Sequence, residues 1–106
     1  MLNILGRRNS SNVQKVLWAC DELDLSYERE DIGGEFGHNQ SANYLALNPN
    51  GTVPTLIDNG RPLWESNAIV RYLCESHESH GLLPQDVWSI ALAQQWMDWQ
   101  QTILAP

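Results

Sequence analysis

The chain has few positive charges, and this shortage excludes whole classes of partner. Its 106 residues include six Lys and Arg against thirteen Asp and Glu, so the net charge is −7. Phosphate backbones and anionic membrane surfaces are bound through clustered basic side chains. We therefore expect neither a nucleic-acid partner nor a membrane partner. Only Arg7, Arg8 and Lys15 lie near one another in sequence, around a predicted helix start, where their positive field would attract a small anionic ligand.

Cysteines and long apolar runs are also scarce. The two cysteines, Cys20 and Cys74, form neither a CxxC pair nor a metal-type spacing, so we expect buried, reduced thiols and no metal site. The apolar run in the N-terminal MLNILGRR is too short for a signal peptide, and no segment approaches the length of a membrane span. These features predict a cytoplasmic protein.

Hydrophobic periodicity and turn residues predict an α/β domain over residues 1–80. The charges of the second strand favour an edge position in the sheet. The first three predicted elements are a strand at 2–6, a helix of about three turns behind the capping residues 10–12, and a strand at 27–32. A short helix at 41–47, a hairpin around Asn-Gly at 55–64 and a helix at 66–77 follow.

A further helix, predicted over residues 86–104, is apolar on two faces and so requires neighbours on both sides. We expect residues 81–106 to be a linker and the first helix of an incomplete all-α domain. The chain is then a fragment of a longer protein, or a short protein that forms a homodimer or higher oligomer to cover its apolar residues. The two stripes are Trp88, Leu92, Trp96, Trp99 and Ile103, and Ile90, Ala93, Met97 and Leu104.

Two short motifs each have a binding interpretation and a purely structural one. The Val53-Pro54 bond before a strand suits a cis peptide, which exposes the backbone N–H and C=O of Val53 for pairing with an extended peptide. Glu65-Ser66 begins a helix, and with Ser66 as N-cap the free N–H groups would receive a carboxylate. The alternatives are a trans proline opening an edge strand and a simple helix cap.

Two segments carry a family resemblance. NPNGTVPTLIDNGRPLWESNAIVRYL (48–73) and GRRNSSNVQKVLWACDELDLSYE (6–28) resemble the N-terminal domain of glutathione S-transferases, most closely the bacterial serine-type members of the theta- and beta-related groups. The resemblance implies a thioredoxin-like β-α-β-α-β-β-α fold with a mixed four-stranded sheet, followed by a larger helical domain. It implies a dimeric glutathione transferase of detoxification, with glutathione as substrate beside an unknown small electrophile.

The resemblance also implies roles for individual residues. Val53 and Pro54 would hold the cysteinyl residue of glutathione, and Glu65 and Ser66 its γ-glutamyl group. Asn39, or His38 beside it, would hold the glycyl end.

Ser10 is where serine-type relatives keep the hydroxyl that donates to the sulfur and favours the thiolate. Ser11 and Asn12 remain alternatives for that role. No cysteine stands at this turn, which disfavours disulfide reduction through a protein thiol. Asp98 falls where some relatives present a carboxylate across a dimer interface.

Two functions remain open at this point. One is an enzyme that transfers the glutathione thiolate to an electrophile, and the other is a glutathione-binding or assembly module without turnover.

Overall fold

The sheet is built around the first strand. The computed structural model describes residues 1–77 and 84–104. Strand β1 (Leu2–Leu5) lies between β2 (Tyr27–Glu30), which is parallel to it, and β3 (Thr55–Asp58), which is antiparallel. Strand β4 (Arg61–Trp64) completes the order β2-β1-β3-β4. The predicted mixed four-stranded sheet is confirmed, with the charged β2 at an edge.

The predicted helices are present with small shifts at their ends. Helix α1 spans Ser11–Glu22, α2 spans Ala42–Leu47, and α3 spans Ser66–Ser76. Helix α4 spans Val87–Trp99 and continues as a π-helical segment, Gln100–Leu104. The predicted domain boundary between residues 80 and 81 lies outside the described residues.

Apolar side chains from the sheet meet those of α1 and α3 in one core. Leu2 and Ile4 are two residues apart on β1 and therefore lie on the same face of the sheet. The buried positions of α1 recur at helical spacing. Full burial of each large apolar side chain contributes about 1.5–3 kcal/mol. The buried cluster consists of Leu2, Ile4, Val13, Val16, Leu17, Cys20, Leu23, Leu56, Ile69, Leu73 and Cys74.

A buried polar network anchors the loop that leads into β3. The Tyr44 hydroxyl, on α2, donates to the carbonyl of Thr52 (2.5 Å) and shares a hydrogen bond with the Thr55 hydroxyl (2.8 Å). The Asn48 amide donates to the same two oxygens, at 2.9 and 3.1 Å. Burial raises the pKa of Tyr44, so its hydroxyl stays protonated as this donation requires. The loop is therefore held from inside the protein.

Polar contacts attach α4 to the rest of the chain. The Asn67 amide donates to the Met97 carbonyl (2.9 Å), and the Lys15 ammonium donates to Asn67 (3.0 Å) and Gln100 (2.9 Å). Burial lowers the pKa of Lys15, opposed by the nearby Glu65 carboxylate. The contacts hold one side of α4 against α1 and α3.

The outer side of α4 is exposed. Trp88 is 73% exposed and Trp96 is 61% exposed. In the second stripe, Ile90, Ala93 and Met97 are partly covered, whereas Leu104 is exposed. The helix thus carries an apolar outer face, as its two-stripe pattern predicts.

The predicted N-cap of α3 is wrong by one residue. Glu65, not Ser66, occupies the cap position, with φ of 76° and no side-chain capping bond. The left-handed backbone at Glu65 turns the chain directly from β4 into the helix. Ser66 is therefore already helical, and its hydroxyl contacts Asn12 at 3.4 Å instead of capping its own helix.

We predict that Tyr44→Phe lowers the free energy of unfolding by about 1–3 kcal/mol, because the Thr52 carbonyl and the buried Thr55 hydroxyl each lose a hydrogen bond. Urea unfolding followed by circular dichroism measures the change. Tyr27→Phe is the matched control, since the Tyr27 hydroxyl has no hydrogen bond within residues 1–77 and 84–104. Equal stability of the two variants would contradict an anchoring role for Tyr44.

Candidate functional site

Three loops surround a cavity of about 300 Å³ at one end of the sheet. They are the turn between β1 and α1, the glycine pair after β2, and the loop before Pro54. Four of the predicted site residues line the cavity: Ser10, Asn12, Asn39 and Val53. The full lining is Arg7, Ser10, Asn12, Gly33, Gly34, Asn39, Gly51, Thr52 and Val53.

Ser10 caps helix α1 and is buried against the cavity. Its backbone is extended, and its hydroxyl oxygen accepts the Val13 N–H at 3.4 Å. Accepting that bond leaves the hydroxyl proton available, since a hydroxyl can donate and accept at once. Ser10 can therefore donate a hydrogen bond to an atom in the cavity while it stabilises the helix.

The two alternatives to Ser10 lie in different surroundings. Ser11 is exposed and does not line the cavity. Asn12 lines the cavity, and its side-chain oxygen accepts the hydroxyl of buried Ser66. This contact connects the start of α1 to the start of α3. Among the three candidates, Ser10 and Asn12 face the cavity.

The Val53-Pro54 peptide bond is cis, as predicted. Within residues 1–77 and 84–104, neither the N–H nor the C=O of Val53 makes a hydrogen bond. Val53 lines the cavity, whereas buried Pro54 lies behind it. A free donor and a free acceptor on one residue can pair with an extended peptide as a strand would.

Asn39 joins two walls of the cavity. Its amide donates to the Gly51 carbonyl at 2.9 Å, and Gln40 reaches the same oxygen at 3.4 Å. Gly51 has φ of +66°, and a Cβ there would lie 2.3 Å from the Gln40 amide nitrogen. The left-handed backbone and the close crossing of the two loops therefore favour glycine at this position.

The structure separates His38 from its neighbour. His38 is exposed, has φ of 67°, and lines a different pocket beside α2. It is not among the residues that line the cavity around Ser10. The structure thus favours Asn39 of the two residues considered for this loop.

Glu65 and Ser66 lie at the edge of the site. Neither lines the cavity directly, but Ser66 contacts Asn12, which does. The first N–H groups of α3 are free of helical partners and carry the positive end of the helix dipole. This helix start is suited to the charged end of a ligand whose middle lies in the cavity.

The sequence analysis assigned no role to Thr52 or to the glycine pair Gly33-Gly34, which line the cavity. Arg7, which it noted only together with Arg8 and Lys15 as a local positive field, lines the cavity too. The consecutive glycines were a detectable signal, because paired glycines mark backbone that another group approaches closely. Nothing local distinguishes Arg7 from the adjacent Arg8.

Neither cysteine supplies a reactive thiolate to the site. Both cysteines are buried and free, and burial raises the pKa of Cys20 to about 11, so it stays a thiol near neutral pH.

The described ranges contain no group of His, Cys, Asp and Glu side chains that could hold a metal ion. None of the helices in these ranges has the length and apolar character of a membrane span. Asp98 pairs with Arg71 of its own chain at 3.1 Å, so its contact across an interface stays a prediction.

Comparisons with known proteins identify the family. A model described as the glutathione S-transferase N-terminal domain matches residues 2–75. Glutathione S-transferase GstB of Escherichia coli K12 is 47% identical over 107 residues, covering 99% of this chain and 51% of the relative. Glutathione S-transferase 1 of Schizosaccharomyces pombe is 44% identical over 80 residues, covering 71% of this chain and 35% of that protein.

Solved structures give the same result. A theta class glutathione S-transferase from Xanthomonas axonopodis pv. citri, with glutathione bound, is 50% identical with a TM-score of 0.93, covering 98% of this chain and 50% of that one. Glutathione Transferase E6 from Drosophila melanogaster is 31% identical with a TM-score of 0.94, covering 99% of this chain and 48% of that one.

The chain belongs to the glutathione S-transferase family, a family of transferases, and residues 2–75 form its thioredoxin-like N-terminal domain. The predicted family and fold are thus confirmed. The chain spans about half the length, or less, of the curated relatives described above.

We predict that Ser10→Ala lowers the free energy of unfolding by about 1 kcal/mol, because α1 loses its capping acceptor. Ser11→Ala is the matched control: the same atom is removed from an exposed residue that makes no side-chain hydrogen bond in the described part of the chain. Urea unfolding curves of both variants test this. A larger loss for Ser11→Ala would show that the cap is assigned to the wrong serine.

Proposed function

We propose that this chain binds glutathione in the cavity beside Ser10 and favours ionisation of its thiol, for transfer of the sulfur to an electrophilic carbon. The observation that carries the proposal is the meeting, in one cavity, of a buried serine able to donate with the free backbone pair of Val53. For a member of this family, the ligand that suits this arrangement is glutathione. Glutathione is a peptide with a thiol at its centre and a carboxylate at each end.

Each part of the tripeptide has a complementary surface. The cysteinyl backbone pairs with the N–H and C=O of Val53, next to cis-Pro54, and the sulfur lies beside Ser10, with Ser11 and Asn12 as the alternatives. The γ-glutamyl group extends to the start of α3, at Glu65 and Ser66, and its carboxylate accepts the free N–H groups.

The glycyl end lies beside Asn39, which braces the loop that carries Gly51, with His38 as the alternative donor. The cavity, about 300 Å³, lies at the lower end of the volumes found for small-molecule sites. That size suits the central part of the ligand, with its two ends projecting beyond the cavity.

The chemistry follows from the hydroxyl. A hydrogen bond to sulfur stabilises the thiolate more than the thiol, so it lowers the pKa of bound glutathione. The thiolate then attacks an electrophilic carbon: a C–S bond forms, the leaving group departs with the carbon's former bonding pair, and the thiol proton has passed to solvent. No metal is needed for this step.

The wider context of this activity belongs to the same proposal. Residues 1–80 form the glutathione-binding domain, and residues 81–106 begin a helical domain that would complete the pocket for a small electrophile. The exposed aromatic face of α4 suits a homodimer or higher oligomer. We place such a protein in the cytoplasm, in detoxification.

A glutathione-binding module without turnover is the second candidate. It is favoured by the composition of the cavity, whose lining comes entirely from residues 7–53 and includes nothing from α4. Turnover of a generic electrophile such as chlorodinitrobenzene separates the two candidates. Binding with no turnover would favour the module.

We predict measurable heat on titration with millimolar glutathione, and a loss of about tenfold in affinity for Asn39→Ala, equivalent to one hydrogen bond of about 1.4 kcal/mol. Gln40→Ala is the matched control, since its contact with the same Gly51 carbonyl is longer and its side chain is exposed. A folded wild-type chain that shows no heat would refute the proposal.

We also predict that Ser10→Ala reduces the ionised fraction of bound thiol more than it reduces affinity. The hydroxyl acts on the sulfur, whereas affinity comes mainly from Val53 and the two ends of the ligand. Ultraviolet absorbance of the thiolate, measured for bound glutathione on wild type and variant, tests this. Identical spectra would remove Ser10 from the catalytic role.

A further inference from the structure

The cavity beside Ser10 carries one charge. Of its nine lining residues, Arg7 alone is charged at neutral pH, and no carboxylate lines the cavity. The chain as a whole has a net charge of −7. A single cation in the binding site of such an acidic protein indicates that the site is suited to negative charge.

The charge of Arg7 is not neutralised by an ion pair. In the described part of the chain, Arg29 pairs with Asp31 at 2.6 Å and Arg71 pairs with Asp98 at 3.1 Å, whereas Arg7 has no carboxylate partner. Its terminal nitrogen donates only to the neutral Asn9 side chain at 3.3 Å, and its Nε is buried without a protein partner. Its field therefore remains available to a ligand.

The fold holds this side chain against the cavity wall. The Arg7 N–H donates to the Ile32 carbonyl at 2.9 Å, and the Arg7 carbonyl accepts the Ser10 N–H at 3.3 Å. Gly34, with φ of +54°, lies under the side chain, where a Cβ would come within 2.7 Å of the Arg7 Cδ and Nε. The turn that positions Ser10 thus also positions Arg7, in space left by a glycine.

We propose that Arg7 supplies positive charge that stabilises the thiolate of bound glutathione, acting together with the hydrogen bond from Ser10. The inference rests on the proposed function. Ionisation of the thiol adds a second net negative charge to the ligand, and an unpaired cation in the same cavity favours that form. An opposite charge close to an acid favours its ionised form and lowers its pKa.

The test is a pH titration of thiolate absorbance for glutathione bound to the 106-residue chain. We expect Arg7→Gln to raise the pKa of the bound thiol by about one unit, and Arg7→Lys to restore most of the difference because it keeps the charge. Arg8→Gln is the matched control: it removes the same charge one residue along, from an exposed side chain that does not line the cavity. We expect its titration curve to match wild type.

Binding of S-methylglutathione, which has no ionisable thiol, separates this role from others. We expect Arg7→Gln to retain wild-type affinity for it. If the pKa of the bound thiol is the same in Arg7→Gln as in wild type, the proposal is overturned. If the variant also binds both ligands more weakly, and by the same factor, Arg7 binds a carboxylate of the ligand instead.

The same experiments keep the two proposals apart. If wild type binds neither ligand, the proposed function fails and this inference fails with it. If wild type binds both ligands and the thiol titrates in the Arg7→Gln variant as it does in wild type, the inference alone fails. Arg7→Met is a second neutral variant for the case in which circular dichroism shows Arg7→Gln unfolded.

Discussion

The hydrogen bonds of Asn48 and Tyr44 are the constraint on which the site depends. Asn48 is fully buried, and its amide and carbonyl groups are all used: it donates to Thr52 and Thr55 and accepts from Asn50. A buried amide without partners is costly, so these hydrogen bonds favour the loop path that satisfies them. That path ends at Val53. The residue that would recognise a peptide is thus positioned by hydrogen bonds made to Thr52 and Thr55, on either side of it.

The start of α1, which carries Ser10, lies close to Val53 because Gly6 has no side chain. Gly6 ends the first strand, and a Cβ at that position would lie 2.5 Å from a Val13 methyl carbon and 3.3 Å from the Val53 Cβ. Glycine therefore lets the start of α1 approach the cis-proline loop closely. The hydroxyl of Ser10 and the backbone of Val53 share a cavity because nothing separates the elements that carry them.

Much of the fold follows from local signals, whereas the site depends on distant ones. Asn59 and Gly60 both have positive φ, as a two-residue hairpin turn requires, and Asn-Gly is the strongest local signal for it. The Val53-Pro54 turn and the capping role of Ser10 were likewise predictable. The true cap of α3 was not, because it depends on how β4 enters the helix. The sequence marked Arg7 only as one of three neighbouring cations, because its place in the cavity depends on Gly34, 27 residues away.

The distribution of tryptophan has an optical consequence. All five indoles are at the surface: Trp18, Trp64, Trp88, Trp96 and Trp99 are between 37% and 73% exposed, and none belongs to the buried cluster. Emission of the folded chain should therefore resemble that of solvated indole and be readily quenched by small solutes. The emission maximum should shift to shorter wavelength when a partner covers α4. It should respond less to changes in the buried core, which contains no tryptophan.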